Sequence, residues 1–211
     1  TAVDLPQGKN LVGAFFQPSA VLIDTTALAT LSPHFFTDGC AEALKYGVIA
    51  DADLFSVLET PLAPGDARLA DVVARCVEIK RDIVQADECE QGVRMLLNFG
   101  HTLGHAIEKV SEFRITHGFA VASGMAMAAR ACASRGLCDA ADAQRVASVV
   151  EAYGMSARAP FSPDLLYEAA LADKKRTGGV MNVAAMEGIG CARVLPLDLQ
   201  DFMRFVHEAC S

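Results

Sequence analysis

The sequence lacks any uninterrupted apolar run of about 18 residues, the minimum for a transmembrane helix, and any stretch typical of a signal peptide. We therefore expect no membrane partner. Internal repeats and low-complexity segments are also absent, which argues against a solenoid or a repetitive linker. What is present is a chain of 211 residues, 52% of them apolar. This is enough for one large domain, or one domain with part of a second, around a substantial core.

Positive charge is scarce as well. There are 26 Asp and Glu residues but only 18 Lys and Arg residues, and the formal net charge is −8. This acidic balance argues against nucleic acid as a partner. It is compatible with a small anionic substrate, because the cations close to a site matter more than the overall charge.

Cysteine is present without a recognisable pattern. The seven cysteines form no Cys-x-x-Cys pair, and their odd number does not suggest a disulfide framework. Scattered thiols of this kind are typical of core packing in a reducing compartment. We therefore expect a cytoplasmic protein.

The composition changes after Pro33, and helical periodicity dominates the chain from about Asp38 onward. Residues 1–10 are typical of a loop, 20–24 (AVLID) of a short buried strand, and 180–195 of a β-hairpin. We expect a mainly α fold: a multi-helix domain with a small β-hairpin and a short N-terminal strand segment. Helices are predicted over about 40–58, 67–86, 90–105, 119–135, 140–153, 163–176 and 198–210.

One helix in this set carries a polar stripe. Within EQGVRMLLNFGHTLGH (90–105), the residues Arg94, Asn98, His101 and His105 recur at steps of four, three and four. On a helix this spacing places all of them on one face. Most other residues of the segment are apolar, so the stripe favours a wet cleft over an ordinary surface helix with a solvated polar face.

The two histidines of the stripe suggest a metal site. His101 and His105 lie four residues apart, so they could hold one ion from one helix, although hydrogen-bonded core histidines would show the same spacing. No Glu lies between them, which excludes the His-Glu-x-x-His metalloprotease motif. His117 and Glu42 could complete a ligand set of imidazole nitrogens and one carboxylate, as in a catalytic zinc site.

Several cations accompany this candidate site. Lys45, Lys80, Arg94 and the cluster 174–176 are numerous for so acidic a chain, and they favour an anionic ligand with a phosphate or carboxylate group. Each also has an ordinary explanation. Lys45 could pair with Glu42 one helical turn away, Lys80 could extend into solvent, and the cluster suits a helix C-terminus.

Taken together, the motifs resemble the C-terminal two-thirds of the 3-dehydroquinate synthase family. The matching segments, which follow one another in order, are LPQGKNLVGAFFQP (5–18), AEALKYG (41–47), DECEQGVRMLLNFGHTLGHAIE (87–108), HGFAVASGM (117–125) and ADKKRTGG (172–179). The segment LNFGHTLGHAIE is the most specific of them for this family and its sugar-phosphate cyclase relatives.

The resemblance implies a role for most of these residues. It implies a zinc ion, with Co²⁺ as an alternative, held by Glu42, His101 and His117. The catalytic residues that it implies are His105, Lys45 and Glu90, with His105 moving protons beside the metal and Glu90 supporting it. The substrate contacts that it implies are Asn10, Lys45, Lys80, Arg94, Asn98 and Lys174. The contacts near NAD that it implies are Lys9, Asn10, Ala27, Leu28, Ala29 and Thr30.

The reaction that the resemblance implies is ring closure of 3-deoxy-D-arabino-heptulosonate 7-phosphate to 3-dehydroquinate. Phosphate is lost after transient oxidation by NAD, a carbon–oxygen lyase step of the shikimate pathway and aromatic amino acid biosynthesis. Zinc would polarise the hydroxyl being oxidised, and Lys and Arg would hold the carboxylate and phosphate. The implied partners are a small anionic sugar phosphate and a second copy of the chain in a homodimer.

The chain departs from the family pattern in two places. Phe119 stands where many relatives have an acidic residue after the His-Gly pair, and no GxGxxG-like segment for the NAD pyrophosphate follows a strand. We expect residues 1–32 to be the end of an NAD-binding α/β domain with a linker, and residues 33–211 a helical metal- and substrate-binding domain. The chain begins with Thr1, so we expect a fragment with little or no synthase activity alone.

Two alternatives remain open. The first is a related cyclase for another sugar phosphate, or a metal-dependent polyol dehydrogenase of the same broad fold. A substrate without a carboxylate has less need of Lys80 and Arg94, and such a dehydrogenase would typically have Asp where Glu42 lies. The second is a helical domain that has lost catalysis and serves assembly or binding, against which the retained ligand set counts.

Overall fold

The computed structural model describes residues 2–5, 8–14, 16, 18–173 and 179–211. Within them, the mainly α fold with a small β-hairpin is confirmed. No helix in these ranges is long and apolar enough to cross a membrane. The α-helices are α1 Pro33–Ala50, α2 Ala52–Leu58, α3 Leu69–Ala86, α4 His101–Val110, α5 His117–Ser134, α6 Ala140–Ala152, α7 Pro163–Asp173 and α8 Leu199–Cys210. Short 3-10 helices cover Thr25–Thr30 and Val93–Asn98.

The first long helix differs from its prediction. It begins at Pro33, where Ser32 accepts a hydrogen bond from the Phe35 amide and the proline occupies the first turn. It ends at Ala50, so the expected helix 40–58 is two helices. Asp51 separates them, because its extended backbone stops α1 while its side chain caps α2 through the Leu54 amide, 2.9 Å away.

The core is centred on α5, whose residues from Gly118 to Cys132 are almost all buried. The small side chains of this helix let α4 approach closely: a Cβ atom on Gly104 would lie 3.0 Å from the Cα atom of Val121. The helices α1, α6 and α8 pack on the other sides of α5. This packing places the start of α5 beside α1 and the last turn of α4, and polar residues collect there.

The predicted hairpin is confirmed as β3 (Val180–Gly188) and β4 (Cys191–Asp198), which are antiparallel. Its turn docks on the junction of α1 and α2. The amide of Gly190 donates to the Val48 carbonyl at 2.9 Å, and the residue has φ +83°. A side chain at that position would collide with Ala52, which explains the glycine.

Two predictions for the N-terminal region are wrong. Residues 1–10, expected as a loop, contain β1 (Ala2–Leu5) and the first half of β2 (Gly8–Gly13), which form an antiparallel hairpin. Residues 20–24, expected as a buried strand, are in neither strand nor helix. Their apolar side chains are exposed, Leu22 by 98%. No element among the described residues covers this apolar segment.

Candidate metal centre

The polar stripe does not lie on one helix, which corrects the sequence-based prediction. Arg94 and Asn98 belong to the 3-10 helix Val93–Asn98, and α4 starts afresh at His101. The break is at Gly100, which has φ +76°, a left-handed conformation that favours glycine. A Cβ atom there would lie 2.8 Å from the Val121 carbonyl oxygen of α5. Close packing on α5 thus requires the turn that separates the two halves of the stripe.

The residues expected as metal ligands come from different helices and meet. Glu42 lies in the middle of α1, His101 is the first residue of α4, and His117 is the first residue of α5. The Oε1 atom of Glu42 lies 3.3 Å from Nε2 of His101 and 3.4 Å from Nε2 of His117. One ligand atom from each residue lies within 4.8 Å of the other two.

The other nitrogen of each ring also faces an acceptor. Nδ1 of His101 lies 3.1 Å from the Phe99 carbonyl oxygen, and Nδ1 of His117 lies 3.2 Å from Oε2 of Glu108. A neutral imidazole has only one N–H, and in each ring that N–H on Nδ1 donates its hydrogen bond to the outer acceptor. Both Nε2 lone pairs are then left pointing at the Glu42 carboxylate, so the centre needs additional protons or a cation.

A metal ion fits this arrangement. A tetrahedral zinc with bonds of about 2.1 Å separates its ligand atoms by about 3.4 Å, which matches the spacings from Glu42 to the two histidines. A backbone carbonyl and a carboxylate are the usual outer partners of zinc-bound histidines, because they accept the N–H of the ring nitrogen that does not bind the metal. Two nitrogens and one oxygen also leave a position for a further ligand.

Electrostatics at the centre follow from this crowding. Burial alone would raise the pKa of the Glu42 carboxyl, but hydrogen bonds with His101 and His117 and the charge of Lys45 outweigh it and hold the pKa well below its usual range. The hydrogen bond to Glu42 raises the pKa of His117 despite partial burial, and Glu108 adds to the effect. A carboxylate that stays ionised is suited to binding a cation.

Lys45 is the most buried cation beside the centre. Only 4% of it is exposed, and its Nζ atom lies 2.6 Å from Oε2 of Glu42. Burial lowers the pKa of Lys45, Glu42 opposes that effect, and Lys80 lowers the pKa further. The predicted ion pair is present, and its lysine is buried while Glu42 is only partly so, unlike an ordinary surface pair. Lys80 is exposed on α3 and close enough to Lys45 for their charges to interact.

His105 faces the same space as His101 and His117. Its ring centroid lies 5.5 Å from that of His101 and 5.8 Å from that of His117. The residue is exposed, and its ligand atom lies within 4.8 Å of those of Glu108 and His117. The arrangement puts His101 in a group with Glu42 and His117, whereas periodicity alone pairs it with His105.

The segment before the 3-10 helix is organised by one carboxylate. Asp87 accepts hydrogen bonds from the amides of Gln91 at 3.0 Å, Gly92 at 2.7 Å and Arg94 at 3.1 Å. The hydrogen bond from Gln91 is the main cause that lowers the pKa of Asp87. Burial opposes it, and the amides of Arg94 and Gly92 and the charge of Arg94 add to the lowering. The guanidinium of Arg94 also donates to the Glu88 carbonyl at 2.6 Å.

Glu90 and Asn98 are joined across this segment. The Asn98 side-chain amide donates to Oε1 of Glu90 at 2.9 Å. Glu90 has φ +56°, a strained conformation for a residue other than glycine. Asp87 binds the amides of Gln91, Gly92 and Arg94, which directly follow Glu90, so it stabilises the turn that carries this residue.

The remaining predicted residues belong to other elements or lie outside the residues that the structure describes. Residues 27–30 are in the first 3-10 helix. Lys9 and Asn10 have backbones in β2, but their side chains are not among the described groups, and Lys174 lies outside the described residues. Phe119, the departure from the family pattern, stacks on the ring of His34 with centroids 4.7 Å apart.

Sequence reasoning missed Glu108, Asp87 and the Phe99 carbonyl. Glu108 lies within the quoted segment LNFGHTLGHAIE, three residues after His105, and a carboxylate among apolar neighbours on the buried side of α4 was the available signal. Asp87 precedes a Glu- and Gly-containing turn, a usual place for a side chain that caps backbone amides. A backbone carbonyl leaves no such signal.

Comparison with known proteins agrees with the motifs. The protein-family model for the C-terminal part of 3-dehydroquinate synthase matches residues 39–176, and the family model for its N-terminal part matches residues 1–38. The chain belongs to the 3-dehydroquinate synthase family. The family predicted from the sequence motifs is therefore confirmed.

Curated relatives support the assignment. The 3-dehydroquinate synthase of Xylella fastidiosa (strain M23) is 43% identical over 208 residues, which cover 93% of this chain and 56% of the relative. The enzyme of Pelobacter propionicus is 40% identical over 209 residues, with 96% and 58% covered. The chain thus spans just over half the length of the curated relatives it matches.

Solved structures show the same fold. ValA, a 2-epi-5-epi-valiolone synthase from Streptomyces hygroscopicus subsp. jinggangensis 5008 with NAD⁺ and Zn²⁺ bound, superposes with a TM-score of 0.86 at 30% identity, over 99% of this chain and 59% of that one. A 2-deoxy-scyllo-inosose synthase complexed with carbaglucose-6-phosphate, NAD⁺ and Co²⁺ gives a TM-score of 0.78 at 23% identity, covering 98% of this chain and 60% of that one. The second similarity concerns the fold alone.

Proposed function

We propose that this chain is the metal- and substrate-binding part of a 3-dehydroquinate synthase. The enzyme converts 3-deoxy-D-arabino-heptulosonate 7-phosphate to 3-dehydroquinate with NAD and zinc, releasing phosphate as a carbon–oxygen lyase. The observation that carries the proposal is the convergence of Glu42, His101 and His117 from different helices, with both Nε2 atoms directed at one carboxylate oxygen. An assembly domain without catalysis would not require such a cluster.

The metal would be held by Glu42, His101 and His117, and Zn²⁺ or Co²⁺ suits their nitrogen and oxygen donors. A bound ion of this kind polarises a hydroxyl or carbonyl oxygen and stabilises negative charge on it. The outer contacts from Phe99 and Glu108 keep the Nε2 lone pairs directed inwards. The ligand set is therefore rigid before any ion arrives.

The cations around the centre would bind the substrate's anionic groups. Lys45 is buried beside the proposed ligands, so it would hold a group close to the metal. The exposed Lys80 and the half-buried Arg94 would hold the carboxylate or phosphate at the rim. Asn98 would contact substrate hydroxyls. Asn10 and Lys174 complete the proposed substrate contacts by resemblance only.

His105 is the proposed group for proton movement. Its ring lies next to those of both ligand histidines and is exposed, so a bound substrate could reach it. Glu90, held by its hydrogen bond from Asn98 and by the Asp87 turn, is the carboxylate proposed to support His105. An imidazole there can donate and accept protons near neutral pH.

The domain division is a further part of the proposal. Residues 1–32 would complete an NAD-binding domain, with Lys9, Asn10 and residues 27–30 near the cofactor, and residues 33–211 would form the helical domain. The family models divide the chain close by, between residues 38 and 39. Exposed apolar side chains at Phe16, Val21 and Leu22 support burial of this segment against further structure. A homodimer in the cytoplasm remains a prediction.

A second candidate is a related cyclase that acts on another sugar phosphate. The structural similarity to a 2-epi-5-epi-valiolone synthase favours it. The two candidates differ at the cations, because a substrate without a carboxylate has less need of both Lys80 and Arg94. A substrate comparison therefore separates them.

The first test is metal binding by the purified chain, with His101→Ala as the comparison. We expect about one zinc per chain, lost in the variant; a folded chain that binds no zinc would overturn the metal centre. The second test joins the N-terminal part of the Xylella fastidiosa relative to this chain. The chimera should release phosphate from 3-deoxy-D-arabino-heptulosonate 7-phosphate in the presence of NAD, and the chain alone should not. Turnover only of a sugar phosphate without a carboxylate would favour the second candidate.

A further inference from the structure

The start of α5, which presents His117, is not capped by its own residues. Thr116 is the N-cap residue, but its side chain makes no capping hydrogen bond to the helix. The cap comes from α1 instead. Oδ1 of Asp38 accepts a hydrogen bond from the Phe119 amide at 3.2 Å and from the Thr116 hydroxyl at 2.5 Å. One carboxylate oxygen thus replaces the local cap and holds the N-cap side chain as well.

The backbones of α1 and α5 also approach each other closely at this point. A Cβ atom on Gly118 would lie 1.9 Å from the carbonyl oxygen of Asp38, so only glycine lets α5 begin this close to α1. His34, one turn before Asp38, adds two contacts. Its Nε2 atom lies 3.3 Å from the Thr116 hydroxyl, and its ring stacks on Phe119. The residues flanking His117 on both sides are therefore held by one face of α1.

The same helix carries a proposed metal ligand. Glu42 follows Asp38 by four residues, which is one turn of α1 on the same face. The joint between Asp38 and the start of α5 therefore fixes the first turn of α5 relative to the turn of α1 that bears Glu42. His117 is the first residue of α5, so its Cα position is set by this joint. The spacing of 3.4 Å between Glu42 and His117 depends on it.

We propose that Asp38 is a positioning residue of the metal centre, which sets the separation of Glu42 and His117 by capping α5 from α1. The proposal rests on the metal centre proposed above. Asp38 does not touch the ion or the substrate; it acts through the helix start that presents His117. Removing it should loosen one ligand relative to the others, and residues that orient metal ligands typically contribute about 10-fold or more to affinity.

The test is a Co²⁺ titration of the 211-residue chain, followed by the visible absorption of the bound ion, in the wild type and in Asp38→Ala, Asp38→Asn and Thr116→Val. Asp38→Ala should weaken Co²⁺ binding about 10-fold and shift or broaden the absorption band. Asp38→Asn keeps an oxygen acceptor at the same place and should restore most of the affinity. Thr116→Val removes one of the two hydrogen bonds, so its effect should be intermediate.

Asp198→Ala is the matched control. Asp198 caps α8 by accepting from the Asp201 amide at 2.8 Å, and α8 carries no proposed ligand. Its loss should lower the midpoint of thermal unfolding without changing Co²⁺ affinity. If Asp38→Ala behaves like this control, Asp38 is only a structural cap and the inference is wrong, while the metal centre stands. If Asp38→Ala does not fold, Thr116→Val decides by the same criterion. If the wild type binds no Co²⁺, the metal centre and the inference both fall.

Discussion

Nδ1 of His117 lies 3.2 Å from Oε2 of Glu108, a carboxylate of α4 that is almost fully buried. The pair links two helices behind the proposed metal centre. The carboxylate keeps the N–H of the ring on Nδ1 and makes Nε2 a better electron-pair donor. We expect Glu108→Gln, which keeps the size of the side chain and removes its charge, to weaken Zn²⁺ binding by about 10-fold, measured by competition with a chromophoric chelator.

The control for Glu108 is Glu208→Gln. Glu208 of α8 pairs at 2.5 Å with Arg135, which follows the end of α5 opposite to His117, in a partly buried salt bridge; α8 carries no proposed ligand. Its replacement should leave Zn²⁺ affinity unchanged. Equal affinity of wild type and Glu108→Gln would show that Glu108 stabilises the fold without acting on the ligand.

The Asp87 turn gives a prediction with a pH dependence. Hydrogen bonds from backbone amides lower the pKa of Asp87 in the folded chain. The Asp87 carboxylate therefore stabilises the fold above its ordinary pKa of 3.8, and this contribution is lost as the pH falls below 3.8 and through the folded-state pKa. We expect the amides of Gln91, Gly92 and Arg94 to lose hydrogen-exchange protection in that range, relative to α5 amides in the same sample. The exchange is measured by nuclear magnetic resonance.

Asp87→Asn should show reduced protection at these amides already at neutral pH, since an uncharged side chain binds them less strongly. Asp66→Asn is its control. Asp66 also has a lowered pKa, about 2, through its bonds with Arg68, but it lies outside the turn. If protection in the turn were equal in Asp87→Asn and the control, the carboxylate would not be what orders Glu90 and Arg94.

The mainly α fold could be predicted because long segments carry an unbroken apolar period, as in α3. The turn at Gly100 could not, because Leu96, Leu97 and Leu103 continue that period through the break. The reason for the break is a contact with Val121 of α5, which is distant in sequence. Periodicity therefore predicted one continuous striped helix where the chain forms two segments.

The candidate site was predictable to a similar degree. Its cations and histidines stand out in an acidic, apolar chain, but spacing alone pairs His101 with His105. Residue chemistry offered Glu42 and His117 only as possible additions to that pair. The family resemblance selected them over His105, because residues on three helices share no local pattern. The prediction of a buried strand at 20–24 was wrong for a different reason. An apolar run predicts burial, but the surface that would bury this one is not among the described residues.

Lys45 should matter for turnover more than for metal binding. Its ammonium group is buried beside Glu42, but the carboxylate also faces two imidazoles and would keep a cationic partner once an ion is bound. In the chimera with the Xylella fastidiosa N-terminal part, Lys45→Met should reduce phosphate release by about 100-fold or more, in the range for a group that stabilises developing charge. Zinc content should stay at about one per chain.

The control for Lys45 is Lys109→Met, at an exposed position near the end of α4. This variant should retain both turnover and zinc. If Lys45→Met instead lost zinc in proportion to activity, Lys45 would be a support for the ligand Glu42, and its proposed role with substrate would be wrong.

The helix break at Gly100 gives the sharpest stability prediction. Gly100→Ala places a Cβ atom 2.4 Å from Met125 Cγ and 2.8 Å from the Val121 carbonyl oxygen, in a backbone with φ +76°. Left-handed strain costs about 1–2 kcal/mol and the overpacking about 1–3 kcal/mol more. Gly136→Ala is the matched control, since Gly136 has φ +67° with nothing within 4 Å.

We expect urea unfolding to show a loss of about 3 kcal/mol for Gly100→Ala and about 1 kcal/mol for Gly136→Ala. Only Gly100→Ala should also weaken Zn²⁺ binding, because α4 begins with the ligand His101 directly after the turn. Equal losses in the two variants would mean that α5 moves aside for the new methyl group. The close approach of α4 and α5 would then not be what fixes the first residue of α4 at the metal centre.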